Sequence, residues 1–318
     1  IQDANGFADN YGAAEKKSNV DKIFLDAYNQ VSAAGGATYP AANEALNRKV
    51  FTGSLFMNYV GHGGPMGLTA ERLLLVEDIS SWTNTNKLPL FITATCEFAP
   101  YDKPDEFTAG ERVFFKENGG GIALVTTTRI VYSNRNKTMN ENFMEQMVNA
   151  YADRDMTLGD IMREAKKNTN TFDGNRKFTL LGDPALRLAF PTYNVVATAI
   201  NGKPIAAQND TLKALSKITI EGEVRDNSNQ RINNFNGTAS VTIYDKSKTI
   251  RTLQNDPDSY PYEFQLQKNT IYKGKTKVTN GVFSCTFLVP KDIDYNFGLG
   301  KISMYAYNDT ADAAGYSS

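Results

Sequence analysis

The sequence is poor in the residues from which soft-metal and disulfide sites are built. Its 318 residues contain one histidine, His62, and two cysteines, Cys96 and Cys285. Zinc sites in proteins draw on several histidine and cysteine ligands, so this set predicts no metal site. The two cysteines stand far apart, in segments of different sequence character, which argues against an internal disulfide.

The chain also lacks an excess of charge of one sign and any long apolar run. Lys plus Arg total 34 and Asp plus Glu 35, which leaves a formal net charge of −1. Such a balance provides no field to gather phosphates, so no nucleic-acid partner is predicted. No run approaches the roughly 18 apolar residues that would span a bilayer. The length is about twice that of one domain and therefore predicts two.

Up to about residue 190 the sequence alternates short apolar runs with segments of helical period, the pattern of parallel strands connected by helices. Three nearly continuous apolar or β-branched runs predict strands buried on both faces. They are Leu55–Val60, Leu88–Thr95 and Gly121–Thr127. Capping pairs predict helix starts at Thr108 with Glu111 and at Thr157 with Asp160. We therefore predict an α/β domain over residues 1–191.

From about Tyr193 the pattern changes to an alternation of period two with frequent turn residues, which predicts strands and few helices. The clearest strands are Lys217–Glu223, Ala239–Tyr244, Val282–Val289 and Lys301–Tyr307. Asn-Gly pairs at Asn201, Asn236 and Asn280 predict hairpin turns. Residues 192–318 therefore predict an all-β, immunoglobulin-like sandwich. Cys285 alternates with apolar neighbours, so we expect it in the sandwich core as an inert small side chain.

The histidine and the first cysteine each follow a predicted strand of the α/β domain. His62 lies in N-Y-V-G-H-G-G-P, and Cys96 ends F-I-T-A-T-C at the close of the next strand. A right-handed crossover sets the carboxyl ends of successive parallel strands at one edge of the sheet, where open α/β sheets place their sites. We therefore expect the imidazole and the thiol to be neighbours.

Such a pair serves nucleophilic catalysis. A free thiol is only a few per cent ionised at neutral pH, and an imidazole beside it takes its proton and makes it a nucleophile. Acyl transfer also creates a negative oxygen that needs preorganised donors. The backbone N–H groups of Gly63, directly after the histidine, and of Cys96 itself are the predicted oxyanion hole.

Simpler interpretations stand beside this one. A cysteine in a buried strand is commonly structural, and an isolated histidine is commonly a satisfied or exposed side chain. The glycine-rich stretch Gly61–Gly67 also invites a dinucleotide phosphate loop. That motif fails because Met66 occupies its third glycine position and Pro65 lacks an N–H. No nucleotide or other cofactor is predicted.

Four segments together resemble a known family. They are Asn58–Gly64, Leu88–Glu97, Thr127–Tyr132 and Leu180–Leu188. The first two resemble clan CD cysteine peptidases of the caspase and gingipain kind. In detail, all four are similar to the gingipain family and, within it, to the C-terminal signal peptidases, or sortases, of type IX secretion. The resemblance implies a caspase-like parallel sheet flanked by helices and followed by an immunoglobulin-like domain.

The resemblance also implies a function. Such enzymes are secreted or lie on the outer-membrane surface of Gram-negative bacteria, beside other type IX secretion components. They remove a C-terminal sorting domain from protein cargo, and the acyl-enzyme passes to an amine on anionic lipopolysaccharide. Cys96 would be the nucleophile and His62 the general acid/base. Since the family's catalytic domain extends further at its N-terminal side, we expect this chain to be part of a longer protein with a truncated catalytic sheet.

Substrate contacts are less marked in the sequence. Gly64 leaves room for a substrate backbone, and Glu97 and Asp102 follow the cysteine closely. Asp102 either lines a pocket for a basic residue, as in gingipains, or is a solvated loop acid. Two other functions remain open. One is a gingipain-like endopeptidase without transfer activity, and the other is a non-catalytic surface binding or scaffold module.

Overall fold

The chain forms two compact units. The structure is a computed structural model, and it describes residues 1–14, 18–169, 172–205 and 212–317. The α/β unit comprises Ile1–Tyr11, Lys22–Phe190 and Arg251–Glu263. The β unit comprises Gly12–Asp21, Pro191–Ile250 and Phe264–Ser318. No helix in the described part of the chain is both long and apolar enough to cross a membrane.

Seven α-helices, one 3-10 helix (Leu25–Ala27) and nine strands precede residue 190 in the described part of the chain. The α-helices are α1 (Gln2–Ala14), α2 (Pro40–Thr52), α3 (Val76–Ser81), α4 (Ala109–Phe114), α5 (Ser133–Ala152), α6 (Leu158–Asn168) and α7 (Phe172–Lys177). The strands are β1 (Val31–Ala33), β2 (Gly36–Thr38), β3 (Phe56–Val60), β4 (Gly63–Gly64), β5 (Gly67–Leu68), β6 (Leu74–Leu75), β7 (Leu90–Ala94), β8 (Ala123–Thr127) and β9 (Phe178–Leu181). The predicted capping boxes at Thr108 and Thr157 are confirmed, and they open α4 and α6.

The central sheet has the strand order β3-β7-β8-β9. Strands β3, β7 and β8 are parallel, as predicted, but β9 is antiparallel to β8. The predicted parallel sheet is therefore confirmed for three of its four strands, and β9 departs from it. The register gives the reason, because β9 begins at Phe178 opposite Thr127, where β8 ends. The helices between them return the chain to that same edge, so β9 has to run back.

Burial separates the three predicted core strands. Every residue of β7 and β8 is buried, as predicted. Every residue of β3 is only half-buried, which contradicts the prediction. Since β3 is the last strand of the sheet order, a partner covers it on one side only. A run such as Phe56–Val60 has the composition of a central strand, and only the topology shows that it lies at an edge.

Ten strands follow residue 190 in the described part of the chain. They are β10 (Tyr193–Ile200), β11 (Lys203–Pro204), β12 (Lys217–Arg225), β13 (Gly237–Tyr244), β14 (Lys248–Arg251), β15 (Glu263–Leu266), β16 (Thr270–Val278), β17 (Val282–Leu288), β18 (Lys301–Tyr307) and β19 (Asp312–Ser317). All lie in the β unit, except that the last residue of β14 and the first of β15 belong to the α/β unit. The main sheet has the order β16-β13-β18-β19-β10-β12-β17. Its alternate inward residues form one core, which includes Cys285 at 7% exposure, as predicted.

Two of the three predicted Asn-Gly turns are confirmed. Asn201 and Asn280 have positive φ angles of 52°, and the glycine after each is also positive, as a type I′ turn requires. Asn236 does not form such a turn, since Gly237 opens β13 instead. The neighbours of β13 are β16 and β18, so no hairpin joins it to β12.

Candidate active site

The only histidine lies on a loop that is held at several backbone positions. His62 follows β3 by two residues and its side chain is exposed. Its carbonyl accepts hydrogen bonds from the Tyr59 hydroxyl at 2.6 Å and from the Thr69 N–H at 2.9 Å. Three residues on, the Pro65 carbonyl accepts from the N–H of Ala109, the first residue of α4, at 2.6 Å. The loop is therefore fixed to β3 and to α4 while the imidazole stays in reach of solvent.

Tyr59 is suited to its role as a donor. Burial raises the pKa of its hydroxyl well above the ordinary value, and the negative charge of Glu71 raises it further. The group therefore remains protonated at neutral pH. Glu71 itself lies in a turn, and the next helix, α3, begins only at Val76.

Cys96 follows the neighbouring strand by the same two residues. Strands β3 and β7 are parallel with Val60 opposite Ala94, so His62 and Cys96 stand at equivalent places on adjacent strand ends. The Cys96 side chain is half-buried, and its thiol donates to the Val131 carbonyl at 3.4 Å. Cys96 is thus neither sealed in the core nor fully exposed.

The two loops are in direct contact beside these residues. A Cβ atom placed on Gly63 would lie 2.6 Å from the Thr95 hydroxyl oxygen, which is closer than any real Cβ contact. Only a glycine therefore fits between the histidine loop and the residue before Cys96. The structure thus packs Gly63 against the side chain of Thr95, the residue before Cys96.

The geometry leaves both proposed oxyanion donors available. In the β4–β5 hairpin the Thr69 N–H donates to the His62 carbonyl, so His62 and Thr69 form a hydrogen-bonded pair. The next pair along the ladder, Gly63 and Leu68, is then a non-hydrogen-bonded one. The N–H of Gly63 therefore points away from β5. The Cys96 N–H has no hydrogen-bond acceptor among the described residues. Next to them Gly64 faces open space, because a Cβ there would meet no atom within 4 Å.

The acids after the cysteine are paired with cations. Both carboxylate oxygens of Asp102 accept from the Arg129 guanidinium, one of them at 2.9 Å. That hydrogen bond lowers the pKa of Asp102 below its usual range. The Glu97 carboxylate lies 3.8 Å from the Lys103 ammonium. Glu97 also has a φ of 40°, a left-handed conformation that a non-glycine residue rarely adopts.

The segment Thr127–Tyr132, for which no role was predicted, lies beside the cysteine loop. It follows β8, and alternate residues of it contact the cysteine loop. Thr127 donates its hydroxyl to the Thr95 carbonyl at 2.5 Å, and the Arg129 carbonyl accepts from the Glu97 N–H at 3.4 Å. With the Val131 carbonyl on the thiol, this gives a contact at every second residue. That alternation indicates an extended segment beside Cys96, but it lies in the contacts and not in the residue types, so it could not be read from the sequence.

No group of three or more metal-ligating side chains occurs in the described residues. A half-buried thiol and an exposed imidazole thus follow adjacent ends of parallel strands, the side-chain types that nucleophilic catalysis by cysteine uses.

The chain belongs to the gingipain family of clan CD cysteine peptidases. The model of peptidase family C25 matches residues 2–189, which is more than half of the chain. No curated protein matches the sequence.

Solved structures of similar proteins include the Arg-specific cysteine proteinase gingipain R. It shares 15% identity, with 86% of this chain and 55% of that chain covered and a TM-score of 0.43. Dimeric latent PorU from Porphyromonas gingivalis shares 26% identity, with 91% of this chain and 25% of that chain covered and a TM-score of 0.37. This chain thus spans about half of the one protein's length and a quarter of the other's.

Proposed function

We propose that this protein is a cysteine peptidase and transpeptidase in which Cys96 is the nucleophile and His62 the general acid/base. The observation that carries the proposal is the β3–β7 register, which sets the two residues at equivalent positions on adjacent strand ends. The Gly63 contact with Thr95 supports it, because it closes the gap between the two loops. Membership of a cysteine peptidase family supports the same chemistry.

The reaction begins with the thiol turning from Val131 to the imidazole. A thiol is a weak donor, so giving up its 3.4 Å hydrogen bond costs little. The imidazole takes the thiol proton and the sulfur attacks the substrate carbonyl, forming a tetrahedral intermediate. The N–H groups of Gly63 and Cys96 donate to its oxyanion, each worth roughly 3 kcal/mol in such sites. His62 then protonates the leaving amine, and a thioester acyl-enzyme remains.

The acceptor decides between hydrolysis and transfer. Water gives a free carboxylate and regenerates the thiol, whereas an amine gives a new amide bond. We propose that the substrate is protein cargo with a C-terminal sorting signal of type IX secretion, and that the acceptor is an amine on anionic lipopolysaccharide. The four motif segments named above support this context. In this context the enzyme lies on the outer-membrane surface of a Gram-negative bacterium or is secreted from it. Its partners are other type IX secretion components.

The same proposal assigns the domains and the substrate contacts. Residues 1–191 form the peptidase domain and 192–318 an immunoglobulin-like domain. The substrate backbone passes over Gly64, where the surface is open. Glu97 and Asp102 border that path. Since Arg129 already holds Asp102, a basic substrate side chain would have to compete with an intramolecular ion pair.

A pair of cysteine variants tests the proposal. Cys96→Ala should abolish cleavage of a cargo protein that carries its sorting domain, while the thermal unfolding midpoint stays near that of the wild type. Cys285→Ala is the matched control, since it removes the core cysteine of the β unit and should leave turnover intact. Cleavage retained by Cys96→Ala would refute the assignment.

Two measurements address the other candidate functions. Iodoacetamide should label the half-buried Cys96 faster than Cys285, whose pKa is raised by burial. Slow labelling of both would favour a non-catalytic binding or scaffold module. Mass spectrometry of cargo cleaved in the presence of an added amine distinguishes a transpeptidase from an endopeptidase without transfer activity. An amide-linked product supports transfer, and only a free carboxylate supports an endopeptidase.

A further inference from the structure

One end of the β unit carries most of the exposed apolar surface of that unit. Five large apolar side chains there are between 61% and 89% exposed, namely Leu215, Leu288, Tyr295, Phe297 and Leu299. The other exposed large apolar side chains in the described part of the β unit reach at most 42%. Apolar residues that are exposed singly are ordinary, but a group of them marks a surface that contacts a partner or a membrane. We call these five residues the apolar end.

Strand pairing and chain connection place the five residues at the same end of the strands. Leu288 ends β17 and pairs with Lys217, the first residue of β12. Directly before β12, the Leu215 N–H donates to the Val289 carbonyl at 3.0 Å. The loop 289–300 then leads from the end of β17 to the start of β18, and it carries Tyr295, Phe297 and Leu299.

The loop 289–300 is held to the strands beside it. The Asp294 N–H donates to the buried Asp245 carboxylate at 3.1 Å, and the Asp294 carboxylate pairs with the Lys246 ammonium at 3.3 Å. Further along the loop, the Leu299 carbonyl accepts from the Gln267 amide at 3.3 Å. Both ends of the apolar segment are thus bonded to the β unit. The exposure of its side chains is therefore a fixed feature of the fold.

Positive charge accompanies the apolar end. Four exposed lysines lie in its loops or in the neighbouring one, and none forms an ion pair with a described residue: Lys213, Lys217, Lys268 and Lys291. Of the acids in the same loops, Asp245 and Asp294 already pair with Lys246. Among the described residues of these loops, Asp292 is the one exposed acid. Unpaired positive charge therefore exceeds unpaired negative charge at this surface.

A phospholipid bilayer matches this combination of side chains. Its interface takes up phenylalanine and leucine side chains, while lysines beside them interact with anionic headgroups. Surfaces that bind proteins are instead depleted of lysine and enriched in arginine. The described loops of the apolar end contain no arginine. Three of the five apolar side chains are leucines, which offer no aromatic face on which nucleic-acid bases could stack.

We propose that the apolar end inserts into the surface of a phospholipid bilayer. Tyr295, Phe297 and Leu299 enter between the headgroups, and the lysine ammonium groups stay at the level of the phosphates. The ligand is the bilayer itself and not the amine acceptor of the transfer reaction. The proposal does not depend on the peptidase activity, because every residue in it belongs to the β unit.

The test is co-sedimentation of the full 318-residue chain with phosphatidylcholine vesicles, prepared with and without phosphatidylglycerol. The chain should bind both, and more tightly with phosphatidylglycerol at low salt. Phe297→Ser with Leu299→Ser should weaken binding to both vesicles by roughly tenfold or more, the factor expected for burying one such side chain. The matched control is Val282→Ser with Tyr307→Ser, which removes two exposed apolar side chains from the opposite end of the strands and should change nothing.

Two further variants separate charge from insertion. Lys213→Ala with Lys291→Ala should weaken binding to the phosphatidylglycerol vesicles by roughly fivefold for each lysine removed, and leave binding to pure phosphatidylcholine unchanged. Phe297→Trp should show a blue shift of its fluorescence when vesicles are added. The native Trp82 is fully buried, so it contributes a constant background.

Several results would overturn the proposal. They are no sedimentation with either vesicle, equal losses in the two apolar double variants, or a loss in the lysine variant alone. A concentration-dependent dimer that disappears in Phe297→Ser with Leu299→Ser would assign the apolar end to a second copy of the chain instead. Unchanged thermal unfolding of each variant confirms that a loss is local.

The same variants keep this proposal apart from the peptidase proposal. Cys96→Ala should bind vesicles like the wild type. Cargo cleavage in solution by Phe297→Ser with Leu299→Ser should stay at the wild-type level. Failure of either proposal therefore leaves the other standing.

Discussion

The Thr127 hydroxyl donates a 2.5 Å hydrogen bond to the carbonyl of Thr95, the residue before Cys96. Thr127 also accepts, through its own carbonyl, from the Ala99 N–H at 3.1 Å. Both threonines are fully buried. The last residue of β8 therefore holds the chain on both sides of the cysteine. We infer that Thr127 is a positioning residue that fixes the direction of the Cys96 backbone N–H.

Thr127→Val should lower kcat about tenfold and leave KM nearly unchanged. Valine keeps the shape of threonine but leaves the Thr95 carbonyl without its donor, a loss of about 1–3 kcal/mol in a buried site. The Thr95–Cys96 peptide, whose N–H is the proposed oxyanion donor, is then free to rotate. Steady-state kinetics on a cleavable cargo peptide checks the split between kcat and KM.

Two neighbouring variants serve as controls for Thr127. Thr127→Ser keeps the hydroxyl and should restore most of the activity. Thr95→Val is the same isosteric change one residue from the proposed nucleophile, but the Thr95 hydroxyl has no partner among the described residues. It should therefore cost little stability. Equal losses in Thr127→Val and Thr127→Ser would show that packing, not the hydrogen bond, is what matters.

Adjacent glycines offer a matched pair on the histidine loop. Gly63→Ala should reduce activity at least a hundredfold, because the new methyl group would lie 2.6 Å from Thr95 and 3.2 Å from the Gly67 carbonyl. Relief of that clash moves the proposed oxyanion donor, and one such donor is worth roughly a hundredfold or more in kcat. Gly64→Ala meets no atom within 4 Å and should be tolerated by the fold.

The comparison is read from kinetics on both variants and from their unfolding midpoints. If Gly63→Ala were as active as the wild type, the Gly63 N–H would not be part of an oxyanion hole. Gly64→Ala should raise KM if the substrate backbone passes over that glycine, with kcat preserved.

The site elements that the sequence predicted share one property: they are local. Strands β7 and β8 are continuous apolar runs, and His62 and Cys96 come directly after such runs. A strand's end and its next residues are read from neighbouring letters, and the crossover rule then places both ends at one edge. The position of the two residues therefore followed from pattern alone.

The features that the sequence did not predict are tertiary. The edge position of β3 and the reversed direction of β9 depend on which strands pair, and no local pattern encodes that. The contacts from Thr127 and Arg129 to the cysteine loop join residues some thirty positions apart. The Asp102–Arg129 ion pair likewise appears only in the fold. Each needed the sheet to be assembled before it could be seen.

Two substitutions of Glu97 distinguish the effect of its strained backbone from that of its carboxylate. Its φ of 40° costs a non-glycine residue about 1 kcal/mol, so Glu97→Gly should leave the protein equally stable or up to about 1 kcal/mol more stable. Glu97→Ala keeps the strained conformation and removes only the carboxylate. If the carboxylate contacts the substrate, both variants should raise KM to a similar degree. A rise in Glu97→Gly alone would instead indicate that the loop had become mobile, and chemical denaturation with steady-state kinetics separates these outcomes.

Acid should weaken the β unit through Asp294. The Asn296 N–H and then the Lys246 ammonium lower the pKa of Asp294 from 3.8 to about 2. Because the folded pKa lies below the unfolded one, the ionised carboxylate stabilises the fold fully above about pH 4. That contribution is lost as the pH falls through 4 towards 2.

Asp294→Asn should therefore lower the denaturation midpoint at pH 6, and its difference from the wild type should shrink below pH 4. Asp292→Asn, an exposed neighbour without an ion pair to any described residue, should follow the wild-type curve. A difference between Asp294→Asn and the wild type that persisted unchanged at pH 2 would show that this carboxylate stabilises the fold without its charge.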